Sequence, residues 1–274
     1  MADVPLSADA DSIAATVLAA LDERRQREPF TASGGLSVAN AFRVTERLRR
    51  LRVARGEMPV GRKIGFTNRG IWAEYGVYEP IWGDVYDRTL HSIEPGSIVT
   101  ASHLPEPRIE PEIVVGLARD LTPGMSVGEI AGAIGWVAHG FEIVQSIYPE
   151  WRFQAADCIA DGGLHGLLAV GPKRAVADGE HATLAVSLSS LRITLSRNGV
   201  PVDTGSGSNV LDGPIHALAH LVEVLARDPV NPPLRAGELV TTGTLTRAFP
   251  IAAGEVWATT IEGYDLPGLS IEIA

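Results

Sequence analysis

The sequence predicts an α+β protein in which a helical N-terminal part packs on a larger, β-rich part. Apolar side chains recur at helical spacing in the first 57 residues, whereas short β-type runs between Gly/Pro turns dominate from residue 84 onward. Strands and helices do not alternate regularly, which disfavours a doubly wound sheet or a (β/α)₈ barrel. We therefore expect a mainly helical N-terminal region over residues 1–83 and a β-rich domain over residues 84–274.

Two helices are predicted in the N-terminal region. The first covers residues 8–28, where apolar positions recur every three or four residues and Pro29 prevents continuation. The second covers residues 37–55 and stops at Gly56, because glycine readily adopts the conformation that ends a helix.

The β-rich part is predicted to hold several strands and two further helices, after a short glycine-bounded strand at 61–67. The strands are recognised as apolar and β-branched runs between turns, at residues 107–118, 167–171, 183–199, 238–243 and 255–261. The helices are predicted over residues 126–145 and 214–227. In the second of these, Pro214 suits the first helical turn.

Composition excludes several classes of function. The chain has 274 residues, 45% of them hydrophobic, which supports a sizeable core. Its formal charge of −10 repels phosphate backbones and anionic lipids, so we expect no nucleic-acid partner and no membrane partner. The single cysteine, Cys158, permits no internal disulfide, and the N-terminus shows no signal-peptide pattern. A cytoplasmic location is therefore expected.

Two glutamates separated by one residue give the strongest local signal. On a strand, Glu110 and Glu112 would project from the same face with backbones roughly 7 Å apart. Two like charges on an apolar strand are costly unless a cation lies between them, and a hard divalent cation prefers oxygen ligands. The alternative is an exposed edge strand with two solvated glutamates, which Pro111 favours because proline belongs on edges. The spacing alone leaves both open.

Glu142 and Lys63 are further candidates. Glu142 lies in the apolar stretch 137–144, where a carboxylate is costly unless it is paired or coordinated; the alternative is an exposed position at a helix end. Only two of the 23 lysine and arginine residues are lysine, Lys63 and Lys173. A chain that uses arginine almost everywhere keeps lysine where its chemistry is needed, or else simply reflects the base bias of its genome.

Several motifs in order resemble one enzyme family. Residues 61–67 and the pair at 79–80 resemble the G-x-K-I-G-x-T and E-P segments of the 2-oxopent-4-enoate hydratase / 4-oxalocrotonate decarboxylase family, in the fumarylacetoacetate hydrolase superfamily. The resemblance covers residues 37–274, and its further segments lie at 110–112, 142–144, 151–161, 205–211 and 242–246.

The resemblance implies a fumarylacetoacetate-hydrolase-like core with a Mg²⁺ or Mn²⁺ site. The metal ligands would be Glu110, Glu112 and Glu142, and Lys63 would be an active-site lysine. A cation there would grip a small 2-oxo acid and polarise its carbonyl group as a Lewis acid. That stabilises an enolate, the intermediate shared by hydration, decarboxylation and C–C cleavage. Lys63 would stabilise this enolate or shuttle a proton.

Other positions are candidates for substrate binding or catalysis. The hydroxyl and amide groups of Thr242, Gly243 and Thr244 would bind the substrate carboxylate, although these residues also suit an ordinary strand-end turn. Asp161 would orient water or a metal ligand, unless it is a cap or a loop acid. His165 lies between glycines, a setting that admits a catalytic imidazole but also a structural one.

The chain departs from the family pattern at Ile81 and Trp82. Family members carry an acidic residue at the first of these positions, where it is thought to take part in proton transfer. We expect Ile81 and Trp82 to line an apolar wall that excludes water, and the substrate to carry an apolar or ring-bearing group. Alternatively, Glu79 or Asp84 supplies the missing carboxylate.

These observations predict a metal-dependent lyase that hydrates or decarboxylates a small 2-oxo acid, in the catabolism of aromatic or related compounds. One alternative is a C–C bond hydrolase on an acylpyruvate-like substrate, with His165 as the only suggestive base. Another is a partner subunit of a hydratase/decarboxylase complex, which intact Lys63 and the three glutamates argue against. We also expect a homo-oligomer.

Overall fold

The computed structural model describes residues 6–33 and 35–274, and it begins with two packed helices. Helix α1 spans Leu6–Glu23, so it ends before the predicted residue 28. Helix α2 spans Val38–Ala54, close to its predicted bounds, and the Ser37 side chain caps it by accepting a hydrogen bond from the backbone of Asn40. The two helices bury a shared apolar cluster that includes Val17 and Val44.

Five further α-helices and fourteen strands follow in the described part of the chain. The helices are α3 (Trp72–Tyr75), α4 (Val127–Ala131), α5 (Ala155–Ala160), α6 (His181–Ser190) and α7 (Pro214–Ala226). The strands are β1 (Pro59–Gly65), β2 (Ile81–Tyr86), β3 (Leu90–Ser92), β4 (Ser97–Val99), β5 (Arg108–Leu117), β6 (Ile134–Val144), β7 (His165–Val170), β8 (Arg174–Ala175), β9 (Arg192–Arg197), β10 (Val200–Ser206), β11 (Leu239–Thr244), β12 (Phe249–Pro250), β13 (Val256–Glu262) and β14 (Ser270–Ile273).

The strands form two sheets. The larger, nine-stranded sheet has the order β2-β1-β11-β5-β6-β7-β3, with β12 paired to β5 and β8 paired to β6. The smaller sheet has the order β10-β9-β13-β14-β4. Helices α4, α6 and α7 pack together against one side of the large sheet, around a core that includes Leu184, Leu218 and Val240. The α+β prediction, with N-terminal helices on a β-rich core, is confirmed.

Strand β1 joins the N-terminal region to the β-rich part. It pairs in parallel with β11 and antiparallel with β2, so the large sheet runs across the predicted division at residue 83. That division stays a prediction. No helix within residues 6–33 and 35–274 is long and apolar enough to span a membrane.

The predicted helix at 126–145 is wrong. Only Val127–Ala131 is helical; Gly132 caps that helix, and the chain then enters β6. Gly135 and Gly140 lower the helix propensity of this segment. A strand covered on both faces reads as a continuous apolar run, and periodicity cannot distinguish such a run from a buried helix.

The predicted strand at 183–199 is wrong in its first half. Residues up to Ser190 form α6, and only Arg192–Arg197 form a strand, β9. Leu184 and Leu188 are four residues apart and both are buried, which is helical spacing. The helix nevertheless contains two β-branched residues, Thr183 and Val186, which favoured the strand prediction. The predicted helix at 214–227 is confirmed as α7.

Candidate active site

The three glutamates lie together on the large sheet. Antiparallel pairing of β5 with β6 places Glu110 directly opposite Glu142, and Glu112 opposite Gly140. One carboxylate oxygen from each of Glu110, Glu112 and Glu142 lies within 4.8 Å of the others. Glu112 and Glu142 are fully buried, whereas Glu110 is half-buried. The register between two strands therefore assembles a compact acidic site in the protein interior.

This carboxylate cluster holds more negative charge than its surroundings stabilise. Burial raises the pKa of Glu110 to about 7. Burial, reinforced by the charges of Glu142 and Glu110, raises the pKa of Glu112 well above its usual value. For Glu142 burial acts in the same direction, but Lys63 and His165 outweigh it and lower the pKa. An added cation would favour the ionised form of all three groups.

The oxygen atoms of the cluster fit a divalent cation. Glu112 Oε2 accepts hydrogen bonds from the Thr241 hydroxyl and, at 2.7 Å, from the Gly243 amide. Glu112 Oε1 is buried and has no hydrogen-bond partner among the described residues. Each carboxylate that is anchored through one oxygen leaves the other for a ligand, and carboxylate oxygens are what Mg²⁺ and related cations prefer.

Lys63 lies against this cluster. Its ammonium group is 3.3 Å from Glu142 Oε2 and donates a 2.9 Å hydrogen bond to the carbonyl oxygen of Gly163. Strand alternation sends the next side chain, Arg62, to the opposite face, where it pairs with Asp84. Burial alone would lower the pKa of Lys63, but the charges of Glu142, Glu110 and Glu112 raise it above its usual value.

His165 and Asp161 lie behind the cluster. His165 Nδ1 is 2.8 Å from Glu142 Oε1, and His165 Nε2 is 2.8 Å from the Thr89 hydroxyl. Because a carboxylate accepts, Nδ1 carries the hydrogen and the ring fixes the orientation of Glu142. Asp161 accepts a 2.8 Å hydrogen bond from the Leu164 amide, and burial raises its pKa to about 8. Neither residue lines the cavity in front of the cluster. Their catalytic roles stay predictions.

The segment at 242–244 is divided between the cavity and the protein interior. Gly243 and Thr244 line the cavity, as a substrate-binding role requires. The Gly243 amide, however, donates to Glu112 rather than outward, and the Thr244 hydroxyl donates to the Thr246 carbonyl oxygen at 3.0 Å. Thr242 turns inward and donates to the Ile113 carbonyl oxygen at 2.9 Å, so it does not line the cavity.

A cavity of about 580 Å³ opens in front of the cluster. Its walls combine polar groups with an aromatic surface, in which the Phe66 and Tyr75 rings lie 5.0 Å apart and the Tyr75 and Phe153 rings 5.8 Å apart. Glu110 and Lys63 also line it. The volume exceeds what a small 2-oxo acid needs, which leaves room for an extended or ring-bearing substituent.

Ile81 lines this cavity, but Trp82 does not. Successive strand residues face opposite sides, and Trp82 is fully buried against Phe42, with ring centroids 5.8 Å apart. The expectation that both residues form one apolar wall is therefore wrong for Trp82. Asp84 shares the Trp82 face and is held by Arg49 at 2.7 Å, so it cannot replace the missing acid without breaking a buried ion pair.

Comparison with known proteins identifies the fold family. The profile described as "Fumarylacetoacetate (FAA) hydrolase C-terminal" matches residues 86–267. The chain belongs to the fumarylacetoacetate hydrolase family. A family relative, 2-hydroxyhexa-2,4-dienoate hydratase of Comamonas testosteroni, is 31% identical over 229 residues, covering 83% of this chain and 84% of the relative.

Two decarboxylases of this family are also similar. The 4-oxalocrotonate decarboxylase of Pseudomonas putida is 31% identical over 222 residues, covering 80% of each chain. The structure of 4-oxalocrotonate decarboxylase from Pseudomonas putida G7, complexed with magnesium and adipate, superimposes with a TM-score of 0.88 over 97% of both chains at 29% identity. The resemblance to the hydratase/decarboxylase group is thus confirmed.

Several residues of this family site were missed by sequence reasoning. Thr241 and Thr89 hold Glu112 and His165, and neither shows any local signal because both partners lie far away in the chain. Trp151 and Phe153 add to the aromatic wall. Arg108 was detectable, because it precedes Glu110 by two residues on β5 and therefore shares its face.

We expect Gly243→Ala to weaken metal binding. Gly243 has a φ of +103°, and an added Cβ would lie 2.1 Å from the Thr67 hydroxyl oxygen. The substitution would displace the amide that anchors Glu112, and loss of such a supporting contact typically costs about 10–100-fold in metal affinity. Calorimetric titration with Mg²⁺ measures this change. Gly179→Ala, which meets no neighbouring atom within 4 Å, is the control. Equal Mg²⁺ affinity in both variants would contradict the role of Gly243.

Proposed function

We propose that this chain is a metal-dependent lyase that hydrates or decarboxylates a small 2-oxo acid through an enolate, in the catabolism of aromatic or related compounds. The observation that carries this proposal is the cluster of Glu110, Glu112 and Glu142 with Lys63, beside a cavity that Glu110 and Lys63 line. The activities named for the similar hydratases and decarboxylases support it.

The side chains have separate tasks in this chemistry. Glu110, Glu112 and Glu142 would hold Mg²⁺ or Mn²⁺, which supplies Lewis-acid polarisation of the 2-oxo carbonyl group. The magnesium bound by the related decarboxylase supports Mg²⁺. The Lys63 ammonium group lies within the same cluster and can donate a hydrogen bond or a proton to the enolate. His165 holds Glu142 from behind, and the apolar side chains of Ile81, Val144 and Leu164 at the cavity would limit access of water to the substrate chain.

The C–C hydrolase alternative is less well supported by the geometry. It needs a base that activates water at the substrate, and His165 was the only suggestive residue. Both His165 ring nitrogens are engaged, with Glu142 and Thr89, and His165 does not line the cavity. A role purely as a partner subunit would not require the complete set of Lys63 and three carboxylates.

A substrate screen tests the proposal. The purified chain, loaded with Mg²⁺ or Mn²⁺, would be offered 2-oxo-enoates, oxalocrotonates and acylpyruvates. We expect turnover of the first or second class. Turnover of acylpyruvates alone would establish the hydrolase instead, and no turnover of any class would favour the partner subunit. The homo-oligomer and the cytoplasmic location also stay predictions; analytical ultracentrifugation would decide the first.

Hydration of the simple 2-hydroxypenta-2,4-dienoate should be slow. Ile81 stands at the cavity where the family's acid is missing, while Glu79 pairs with Arg227 at 2.5 Å and Asp84 is buried with Arg49. General acid–base help is typically worth about 10²–10⁴-fold, so we expect hydration to be slower by that factor than in an enzyme that has the acid. Steady-state kinetics measure the rate.

Two variants sharpen this prediction about hydration. Ile81→Asp should accelerate hydration of the dienoate, whereas Ile81→Asn, which adds a polar group of similar size without an acid, should not. A wild-type kcat within the ordinary range of roughly 1–10³ s⁻¹, lost in Glu79→Gln or Asp84→Asn, would show that another carboxylate had replaced the missing one.

A further inference from the structure

Arg108 lies on β5 two residues before Glu110, next to the acidic cluster. The pairing of β5 with β6 places Arg108 opposite Val144 and Glu110 opposite Glu142, so these four side chains project from one face of the sheet. Arg108, Val144 and Glu110 all line the cavity. The Arg108 guanidinium group therefore projects into the same cavity as Glu110, next to the carboxylate cluster.

The Arg108 guanidinium group has no ion-pair partner in the described part of the chain. Its carbon lies 4.1 Å from the centre of the Trp151 ring, which supports it from one side. Glu106, the carboxylate outside the cluster whose charge acts on Arg108, is already engaged, because its Oε1 accepts from the Gln26 side chain at 2.7 Å and from the Glu150 amide at 3.0 Å. Arg108 is thus held in place while its hydrogen-bond donors stay free for a ligand.

A second arginine at the cavity differs from Arg108 in its ion pairing and in its exposure to solvent. Arg247 also lines the cavity, but it pairs with Asp203 at 3.0 Å, and its side chain is three-quarters exposed to solvent. Arg108 is half-buried. A partly desolvated guanidinium group without a partner gains more from an anionic ligand than an exposed, paired one does.

We propose that Arg108 is a specificity-determining residue that binds an anionic group, such as a second carboxylate, on the substrate chain beyond the 2-oxo acid head. This inference rests on the proposed function, since it assumes that the head group binds at Glu110, Glu112 and Glu142. A planar guanidinium group matches a carboxylate through two parallel hydrogen bonds, which gives direction as well as charge recognition.

The spacing of Arg108 and Glu110 along β5 is compatible with a ligand of moderate length. Backbone positions two residues apart on a strand are roughly 7 Å apart, which suits a second anion a few carbon atoms from the 2-oxo group. The intervening carbons would contact apolar wall residues such as Val144 and Leu164. The structure thus favours an acid with two anionic ends and an apolar middle.

A matched pair of saturated ligands tests this assignment without relying on turnover. 2-Oxoadipate and 2-oxohexanoate have the same six carbons and the same 2-oxo acid head, and they differ only in a terminal carboxylate or methyl group. We would titrate each into the Mg²⁺-loaded full chain by calorimetry. We expect the wild type to bind 2-oxoadipate at least about 10-fold more tightly, the worth of a charge-assisted hydrogen bond.

Substitutions test whether Arg108 is responsible for the tighter binding of 2-oxoadipate. Arg108→Gln should lower it to less than about 2-fold by weakening 2-oxoadipate alone, while Arg247→Gln should retain it. Arg108→Lys, a milder change, should retain charge attraction with a reduced preference. Circular dichroism of each variant confirms folding, and the wild-type comparison stands even where a variant fails to fold.

Several results would overturn the assignment. Equal binding of the two ligands by the wild type would reject a second anion site. Equal weakening of both ligands by Arg108→Gln would show that Arg108 binds the 2-oxo acid head group instead. Retention of the preference in folded Arg108→Gln, or its loss in Arg247→Gln, would assign it to another residue. Failure of both ligands to bind would instead reject the 2-oxo acid head site, and with it the proposed function.

Discussion

The Glu110→Ala/Glu112→Ala variant is expected to lose turnover by about 10³-fold or more. Lewis-acid stabilisation of a developing negative charge contributes several kcal/mol, and each 1.36 kcal/mol corresponds to a factor of about ten in rate. Glu112 is fully buried and anchored by Thr241 and Gly243, so its removal takes away a ligand whose position is fixed by other residues. Wild-type protein treated with a chelator should lose activity equally and regain it with Mg²⁺ or Mn²⁺.

Thermal unfolding separates loss of metal from loss of fold. Burial raises the pKa of Glu110 and Glu112, which shows that these carboxylates are poorly stabilised when ionised without a cation. The metal-free double variant should therefore unfold at a temperature no lower than the metal-free wild type. Wild-type protein should gain stability from added Mg²⁺, because a ligand that binds only the folded state stabilises it, whereas the variant should gain none.

Glu272→Ala is a matched control for this experiment, since Glu272 is an exposed strand glutamate of the smaller sheet. It should keep both the activity and the stabilisation by Mg²⁺. Full activity after thorough chelation, or in the double variant, would contradict a metal-dependent mechanism.

The glutamate pair on β5 shows what the sequence could predict. Side chains two residues apart on a strand share a face, so the proximity of Glu110 and Glu112 follows from local spacing alone. Glu142 joins them only through the register of β5 against β6, which pairs residues 32 positions apart in the case of Glu110 and Glu142. Local periodicity carries no information on that register. The family resemblance placed Glu142 at the site even though the pattern placed it on a helix.

Trp82 shows the opposite failure. Its position directly after Ile81 was known from the sequence, but the direction of its side chain was not predicted. Strand alternation, applied to Ile81, would have predicted that Trp82 faces away from the cavity. For His165 no such rule helps, because its place behind Glu142 depends on the pairing of β6 with β7. Arg108 could have been predicted by the alternation that placed Glu110.

Lys63→Arg is expected to reduce turnover almost as much as Lys63→Ala, by about 10²–10⁴-fold in kcat. The Lys63 side chain is buried, and a Cβ added at Gly163 would lie 2.9 Å from its Cδ, so the backbone of residue 163 passes close beside it. The bulkier, planar guanidinium group cannot take the place of the ammonium group beside Gly163 and Glu142 without a change in its position. A cation bound by the three glutamates would counter the charges that raise the pKa of Lys63, so the lysine could give up a proton to an enolate and recover it, whereas arginine keeps its proton even beside a cation.

Comparing kcat with the binding of 2-oxohexanoate distinguishes the possible roles of Lys63. If Lys63 transfers a proton, both variants should lose kcat while 2-oxohexanoate still binds the Mg²⁺-loaded protein measurably. Lys173→Arg is the matched control, because the other lysine lies over the Trp136 ring at 4.4 Å, does not line the cavity and should tolerate the change. If Lys63 acts only as a point charge beside Glu142, the arginine variant should keep much of its rate. That result would reject proton transfer while leaving intact the carboxylate site that Lys63 adjoins.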